Sequence, residues 1–541
     1  MAWLGLPFTP RFIVLTLALV LSALQLADLA LHHNQLALLI VPLIVTGGLS
    51  LIGISDLIQT KHSILRNYPI AAHLRFLFEE IRPEMRQYFF EGETDGTPFS
   101  RDTRAIVYQR AKMVLDKRPF GTQADVYADN FEWLTHSIAP HSVVKDGFRV
   151  TIGGPLCAKP YNASVFNISA MSFGALSANA IKALSTGAKA GGFAQDTGEG
   201  GLSPYHMAGG GDIIWEIGSG YFGCRTADGR FSAEQFAATA SLEQVKMIEL
   251  KLSQGAKPGH GGVLPGAKVS PEIARIRGVP VGKDCISPAR HSAFNTPVEL
   301  LQFIDQLRRL SGGKPTGFKL CIGHPHEFLA ICKAMLATGL TPDFIVVDGK
   351  EGGTGAAPQE FIDHLGMPMR EGLSLVHNAL IGVGLRQTIR IGAAGKIVTG
   401  FDIARAFALG ADWCNAARGF MFAIGCIQSQ HCHTDRCPVG VATQDAGRQR
   451  GLVVADKATR VANFHKATVA SLAEVVAAAG LDHPSGFTAH HVSRRVSPSE
   501  IKTFAELYRE LKPGELLAGT QDTRFKAAWA MARAETFAAA W

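Results

Sequence analysis

Cys426, Cys432 and Cys437 stand in a C-x₅-C-x₄-C pattern followed by Pro438-Val439-Gly440. Three thiols this close form a donor set for a soft metal, because a reducing cytoplasm leaves them unpaired and thiolates hold such ions well. Two ligations suit the spacing. One is an iron–sulfur cluster. The other is a Cys₃His zinc site completed by His431 or His433. The remaining cysteines (Cys157, Cys224, Cys285, Cys321, Cys332 and Cys414) are scattered through apolar runs, where a thiol is expected to act as a small buried hydrophobe.

A second set of chemically capable residues sits in glycine-rich strings. These are Met171-Ser172-Phe173-Gly174, Gly198-Glu199-Gly200-Gly201, the run from Gln254 through Lys257 and His260 to Gly262, Gly349 to Gly355 with Gly352 and Gly353 inside it, Gly395, and Arg418-Gly419. Glycine makes up 57 of 541 residues, above the usual share of about 7%, and the excess lies in these strings. Backbone N–H groups freed by glycine can cradle a phosphate. Each string alone is explained equally well by tight turning.

The strings follow short β-branched runs at Val165–Ala170, Phe193–Thr197, Tyr221–Arg225, Met247–Leu252, Gly317–Ile322, Phe344–Asp348, Thr388–Ala393 and Trp413–Ala417. Helical patterns lie between most of them, at Ala178–Ala190, Val298–Leu310, His326–Thr338, Glu371–Gly382 and Asp402–Leu409. Eight strands alternating with helices over about 260 residues fit an α/β protein with a (β/α)₈ TIM barrel, for which about 250 is typical. A doubly wound sheet is the alternative, but no G-x-G-x-x-G follows a strand. In a barrel, the ends of the strands carry the chemistry. The last three loops would then be the phosphate side, and Lys319 would stand within the fifth strand. On the residues alone, Lys319 reads as a core-edge lysine in a salt bridge.

The first sixty residues form a different kind of element. Phe12 to Leu31 and Leu36 to Ser55 are two apolar stretches of twenty residues, the length a bilayer core requires. Only His32 to Gln35 connects them, and Gly47, Gly48, Ser50 and Gly53 would let the helices approach closely. Arg11, Lys61 and Arg66 flank the pair while the connection has no Lys or Arg, so both ends are expected in the cytoplasm. A transmembrane helical hairpin at 1–58 in the cell (inner) membrane would carry a cytoplasmic body. That body divides into a segment at 59–150, with a helix at Ile70–Phe90 and a polar loop at Glu91–Arg101, a barrel at 151–445, and a helical region at 446–541. The net charge of +7 is small for this length, with no Lys/Arg run, which argues against nucleic acid as a partner.

The strings Ile168 to Ala175, Thr197 to Gly201, Gln254 to Gly259, Gly352 to Gly355 and Cys426 to Gln444 resemble, in order, those of the FMN-binding synthase domain of glutamate synthase. The anchored amino terminus is similar to that of shorter, stand-alone members. The resemblance implies a TIM barrel binding FMN and a 3Fe–4S cluster on Cys426, Cys432 and Cys437. It places the flavin on Met171, Ser172, Gln254 and Lys319, and the phosphate on Gly349, Gly352, Gly353, Gly355, Gly395 and Gly419. It makes Lys319, Lys257, His260 and Glu199 the catalytic candidates, with Arg418 as a further cation for substrate carboxylates. Lys319 would face the flavin N1/O2 edge, where a cation stabilises the anion formed on reduction.

The implied reaction is reductive amination of 2-oxoglutarate (or a similar keto acid) with ammonia to L-glutamate, with electrons from ferredoxin or a separate reductase. Three departures from the family pattern stand out. His260 occupies a position usually held by Glu, Ala394-Gly395-Lys396 replaces Asp-Gly-Gly, and membrane helices stand where a glutaminase domain usually begins. Glutamine cleavage would then fall to a separate glutaminase subunit. An N-methylglutamate synthase-type enzyme and a non-catalytic membrane redox relay are the rival expectations.

Overall fold

The computed structural model describes residues 6–32, 36–144 and 147–540. The chain forms two compact units, Met1–Thr97 and Pro98–Trp541. The expected boundaries at 150 and 445 fall inside the second.

In the first unit, helices Ile13–Leu31 and Leu36–Ile58 pack as a hairpin. Both are long and apolar enough to cross a membrane, with mean hydropathies of 2.1 and 2.4 over their best windows. The connection at 33–35 lies outside the described residues. Ser22 and Ser50 meet hydroxyl to hydroxyl at 3.2 Å, and the Thr46 hydroxyl donates to Gln25 Oε1 at 2.7 Å. Of the glycines expected at this contact, only Gly53 serves it. A Cβ there would fall 2.5 Å from Leu15, whereas Gly47 and Gly48 face open space. The next segment is helical as expected, an α-helix at Ala71–Met85 running into a π-helical turn at Arg86–Phe90.

The second unit is a closed barrel of eight parallel strands: β1 Phe166–Ile168, β2 Ala194–Asp196, β3 Asp212–Ile217, β4 Val245–Lys251, β5 Thr316–Leu320, β6 Phe344–Asp348, β7 Arg390–Ala394 and β8 Trp413–Ala416. Each pairs with the next, and β8 pairs with β1 through Asn415 opposite Asn167. Seven of the eight follow the expected runs. The third does not: Tyr221–Arg225 is a turn with Tyr221 at φ 48°, and the strand starts nine residues earlier. Asp212-Ile-Ile-Trp-Glu-Ile hides behind the preceding glycines, and its inward Glu216 breaks the apolar run.

An antiparallel pair, Arg149–Ile152 with Tyr161–Ser164, closes the amino-terminal mouth of the barrel. Tyr161 donates to Asp212 Oδ2 at 2.8 Å, and Ile152, Tyr161 and Ala163 pack against the inward Ala194, Ile214, Met247, Phe344, Val346, Ala394 and Trp413. The other mouth is left for the site.

An additional helix and one correction concern the flanks. Residues 101–111, beyond the polar loop, form a helix with Arg104 and Arg110 buried. The carboxyl-terminal region is only partly helical. Its long helix Val454–Ala478 lies against Ala178–Gly191, where a Cβ on Gly187 would stand 2.5 Å from Val461. Val492–Ser497 and Glu500–Thr503 instead form a sheet with Glu132–Leu134. These strands are polar because Glu132 is an ionic hub for Arg370, Arg405 and Arg494, so they lack an apolar alternation to read.

Candidate active site

At the open mouth, Lys251 ends β4 and directs its ammonium to Glu199 Oε2 at 2.9 Å and Gln254 Oε1 at 2.6 Å. Burial would raise the Glu199 carboxyl, but Lys251, Lys257 and Arg277 outweigh it and hold it below the usual carboxylate range. Lys257 is 2% exposed, and burial pushes its ammonium down to about 8 against the pull of Glu199. A lysine poised there can give or take a proton near neutrality. His291 Nε2 meets the Lys251 carbonyl at 2.8 Å, and burial lowers its pKa to about 4, so it is neutral. Arg277 donates to Ser172 Oγ at 3.3 Å and to the Phe173 carbonyl at 3.0 Å, which fixes the turn after β1. A Cβ on Gly262 would lie 2.0 Å from Glu199 Oε1, so this loop closes over the carboxylate only because position 262 is glycine.

One layer deeper, the inward residues are acidic. Lys319 reaches Glu216 in a short ion pair and Glu249 at 3.0 Å. Asp196, Glu216 and Glu249 place carboxylate oxygens within 4.8 Å of one another, with the Lys319 ammonium as their cation. All four residues are 3% exposed or less. Burial, then the neighbouring carboxylates, raises Asp196 well above its ordinary value. Burial likewise raises Glu249 to about 7, with Lys319 pulling the other way. Lys319 is raised by these carboxylates despite its burial. The half-buried Asp348 completes the layer and accepts from the Gly255 N–H at 2.8 Å.

The cysteine loop is stitched to the same mouth. Lys268, 2% exposed, donates to the carbonyls of Ala175 at 3.0 Å, Cys432 at 2.9 Å and Ala442 at 2.9 Å. Gln444 Nε2 donates to the Gly174 and Leu176 carbonyls, and Ser177 Oγ donates to the Gly440 carbonyl. Tyr108 donates to the Cys426 carbonyl at 2.7 Å. Burial first, and then the other two thiols, raises Cys426 to about 12; burial and Cys437 raise Cys432.

The expected phosphate residues divide. Gly349 and Gly395 face Glu351 and Met369, Gly352 faces the Gly349 carbonyl and Asp348, and a Cβ on Gly353 would stand 2.7 Å from Arg418 Nε. Gly355 lies beside Cys432, with 3.9 Å between its would-be Cβ and the Cys432 Cβ, while Gly419 packs on the Phe464 ring instead. Lys396 has φ 50°, a left-handed position that suits the glycine of the usual Asp-Gly-Gly. Met171 is buried under the Gly198 turn. His260 stands apart from the Glu199 group: Nδ1 faces its neighbour's carbonyl, Gly261 O, and the ring meets Phe361 edge-on at 5.2 Å. Lys251, Arg277, His291, Lys268 and the acidic layer escaped the sequence reading. Lys251 had a usable signal, standing at a strand end three residues before Gln254.

Residues 157–482 match the family model described as a conserved region in glutamate synthase. The chain is 40% identical over 490 residues to the glutamate synthase large subunit-like protein YerD of Bacillus subtilis (strain 168), covering 83% of this chain and 93% of that one. It is 37% identical over 287 residues to an archaeal glutamate synthase (NADPH) of Methanocaldococcus jannaschii, covering 53% of each, so it spans about half of that relative. Over 220 residues it is 38% identical to the chloroplastic ferredoxin-dependent glutamate synthase of Spinacia oleracea, covering 41% of this chain and 13% of that enzyme. With a model spanning more than half its length and a relative matched nearly end to end, this chain belongs to the glutamate synthase family.

Proposed function

We propose that the protein is a membrane-anchored FMN and 3Fe–4S oxidoreductase that reductively aminates 2-oxoglutarate to L-glutamate, using ammonia and electrons from ferredoxin or a separate reductase. The observation that carries this reading is Lys268. Its ammonium ties the cysteine loop to the turn after β1, so a redox group on the thiols and a cofactor on that turn would share one rigid frame.

The donor sets fit both groups. Arg418 is half-buried beside the glycines after β6 and β7, gives one hydrogen bond to the Glu351 carbonyl, lies over the Phe99 ring at 4.7 Å, and has no carboxylate in salt-bridge range among the described residues. Burial lowers it to about 10, and Lys396 beside it is lowered by burial and by Arg418. Two adjacent, underpaired cations suit a phosphate dianion. Cys426, Cys432 and Cys437 stand on one loop held by Lys268 and Tyr108, a three-thiol donor set that suits an iron–sulfur cluster. When bound, FMN would bring hydride chemistry and the cluster one-electron transfer to this mouth.

The chain's own residues bind and orient the substrate. Lys251 and Lys257 exceed the single charge of Glu199 and would meet a dicarboxylate, while Lys257 can donate a proton to the departing oxygen as the imine forms. Arg277 keeps the Ser172 turn in place. The anchor is the hairpin, with Arg11, Lys61 and Arg66 holding its ends on the cytoplasmic side.

Anaerobically purified full-length protein should release FMN on denaturation and carry about three irons per chain. It should turn over 2-oxoglutarate with ammonia when reduced. Zinc without flavin would overturn the cofactor reading. Flavin that accepts electrons while no keto acid reacts would favour the redox relay instead.

A further inference from the structure

The helix at Ala71–Met85 leaves an apolar face exposed among the described residues of its unit. Leu74 (58% exposed), Leu77, Phe78 (62%), Ile81 and Met85 recur at three- and four-residue spacing, so they form one stripe. Arg75, Glu79, Arg82 and Arg86 line one flank of the stripe and Glu80 and Glu84 the other, with Arg75 and Glu79 paired at 3.0 Å. The π-helical turn then presents Tyr88, Phe89 (72%) and Phe90 (74%) together. Eight large apolar side chains exposed along twenty residues exceed what solvent normally tolerates on one element.

The start of this helix is fixed against the ends of the hairpin helices within the same unit. Asp56, near the end of the second hairpin helix and 4% exposed, accepts from the Ile70 N–H at 2.9 Å and from His73 Nε2 at 3.0 Å. Ile70 reaches to where a Cβ on Gly53 would stand, 3.0 Å away, beside Leu15. Val14, Ile70, Ala71, His73, Leu74 and Leu77 then line a largely apolar cavity of about 520 Å³. The apolar stripe thus begins at the level of the hairpin's residues 14, 15 and 53, just inside the ends of the two spans. Within 71–90 three Arg, at 75, 82 and 86, balance three Glu, and the added cations are Lys61 and Arg66 after the second span, where they suit an anionic headgroup layer.

We infer that residues 71–90 form an in-plane membrane helix, whose occupant is the lipid of the leaflet at which the hairpin ends. Leu74 to Met85 would bury in the acyl boundary, Tyr88 to Phe90 would sit at the headgroup level as aromatic anchors, and the cavity beside Val14 would take an acyl chain. This rests on the hairpin spanning the membrane. It adds a second, lateral contact that holds the segment leading to the barrel against the bilayer surface.

The test is photolabelling of the full-length protein in vesicles of mixed phosphatidylcholine and phosphatidylglycerol, with a diazirine on the lipid acyl chain and peptide mapping of the adducts. Peptides covering 74–90 should be labelled within about twofold of the hairpin peptides. Combined Leu77→Glu and Phe78→Glu should cut labelling of 74–90 at least fivefold and leave 13–31 and 37–58 unchanged. Labelled hairpin peptides with an unlabelled 74–90 would overturn this inference while sparing the anchor. Labelling of neither would overturn both. Cross-linking of 74–90 to a second copy or to the protein's own body in place of lipid would also overturn it.

Discussion

The barrel holds two ionic layers that differ by one step along the strands and by the sign of their excess charge. At the mouth, Glu199 alone faces Lys251 and Lys257, with Arg277 nearby. Beneath it, Lys319 alone faces Glu216, Glu249, Asp196 and Asp348. The deeper layer relieves its excess within itself, because burial raises Asp196 well above its ordinary value and Glu249 to about 7, which favours their protonated forms. The mouth layer cannot do this: a depressed Glu199 stays charged and a depressed Lys257 is a cation under strain. Its remaining charge is available to an anion from outside. The deeper layer is therefore the more self-contained of the two, whereas the mouth layer keeps a positive excess suited to an anion.

Removing the cation from each layer tests this contrast, and the largest effect should come from the deeper one. Lys319→Met strands Glu216 and Glu249 in a site 1% exposed. Breaking a buried pair from one side costs about 3–5 kcal/mol. Thermal unfolding of the solubilised chain should show that loss, and adding Glu216→Gln should recover most of it. An unchanged midpoint for Lys319→Met would mean that the layer is not a structural unit.

The matching change at the mouth should act on turnover and leave the fold intact. Lys257→Met removes an ammonium that burial already opposes, so stability should hold or rise. If the charge meets substrate, kcat/KM for the keto acid should fall by about 2.7–4 kcal/mol, a hundred- to a thousandfold. In the wild type this contribution should be lost as pH rises through about 8, where Lys257 gives up its proton. A flat profile from pH 7 to 9 would remove Lys257 from substrate binding.

The contrast also explains what could be read from the amino acids alone. Seven barrel strands were legible because their β-branched runs are buried on both faces, and the cysteine loop was legible because thiol spacing is rare. The third strand was hidden by Glu216, a member of the acidic layer. The same layer recasts Lys319: its neighbours Glu216, Glu249 and Asp196 are supplied by three other strands, and no local pattern announces a cluster that exists only after closure. His260, conspicuous in a glycine loop, turned to Phe361, while Lys251 looked like an ordinary strand terminus. Long-range partners decided each of these cases.

His291, beneath the mouth, sets the acid limb. Its folded value of about 4 lies below the ordinary 6.5 through burial, so the unfolded chain binds the proton more readily. Its contribution to stability is complete above pH 6.5 and is lost as pH falls toward 4. At pH 5 the loss is about 2 kcal/mol for this one histidine. His291→Gln should therefore unfold less steeply than the wild type between pH 6.5 and 5. Parallel curves would show that His291 is protonated as folded, contrary to its place against the Lys251 carbonyl.

The smallest effect tests whether the deeper layer truly keeps its own proton. Glu249 is raised to about 7 in the fold, with burial as the largest cause. Below pH 4.5 it is protonated both folded and unfolded, and costs nothing. As pH rises from 4.5 to 7 the unfolded chain releases the proton while the folded barrel retains it, so wild-type stability falls over that window. Glu249→Gln mimics the protonated form and cannot titrate. Relative to the wild type it should therefore gain stability with rising pH, by about 1 kcal/mol between pH 5 and 6. The histidine contributions cancel in that difference, because both proteins carry them. Unfolding midpoints at pH 5, 6 and 7 measure it directly. A Gln variant whose disadvantage grows with pH would mean that Glu249 is an anion paired to Lys319. The deeper layer would then hold more uncompensated charge than the mouth, and the division between a self-contained layer and an open one would fail.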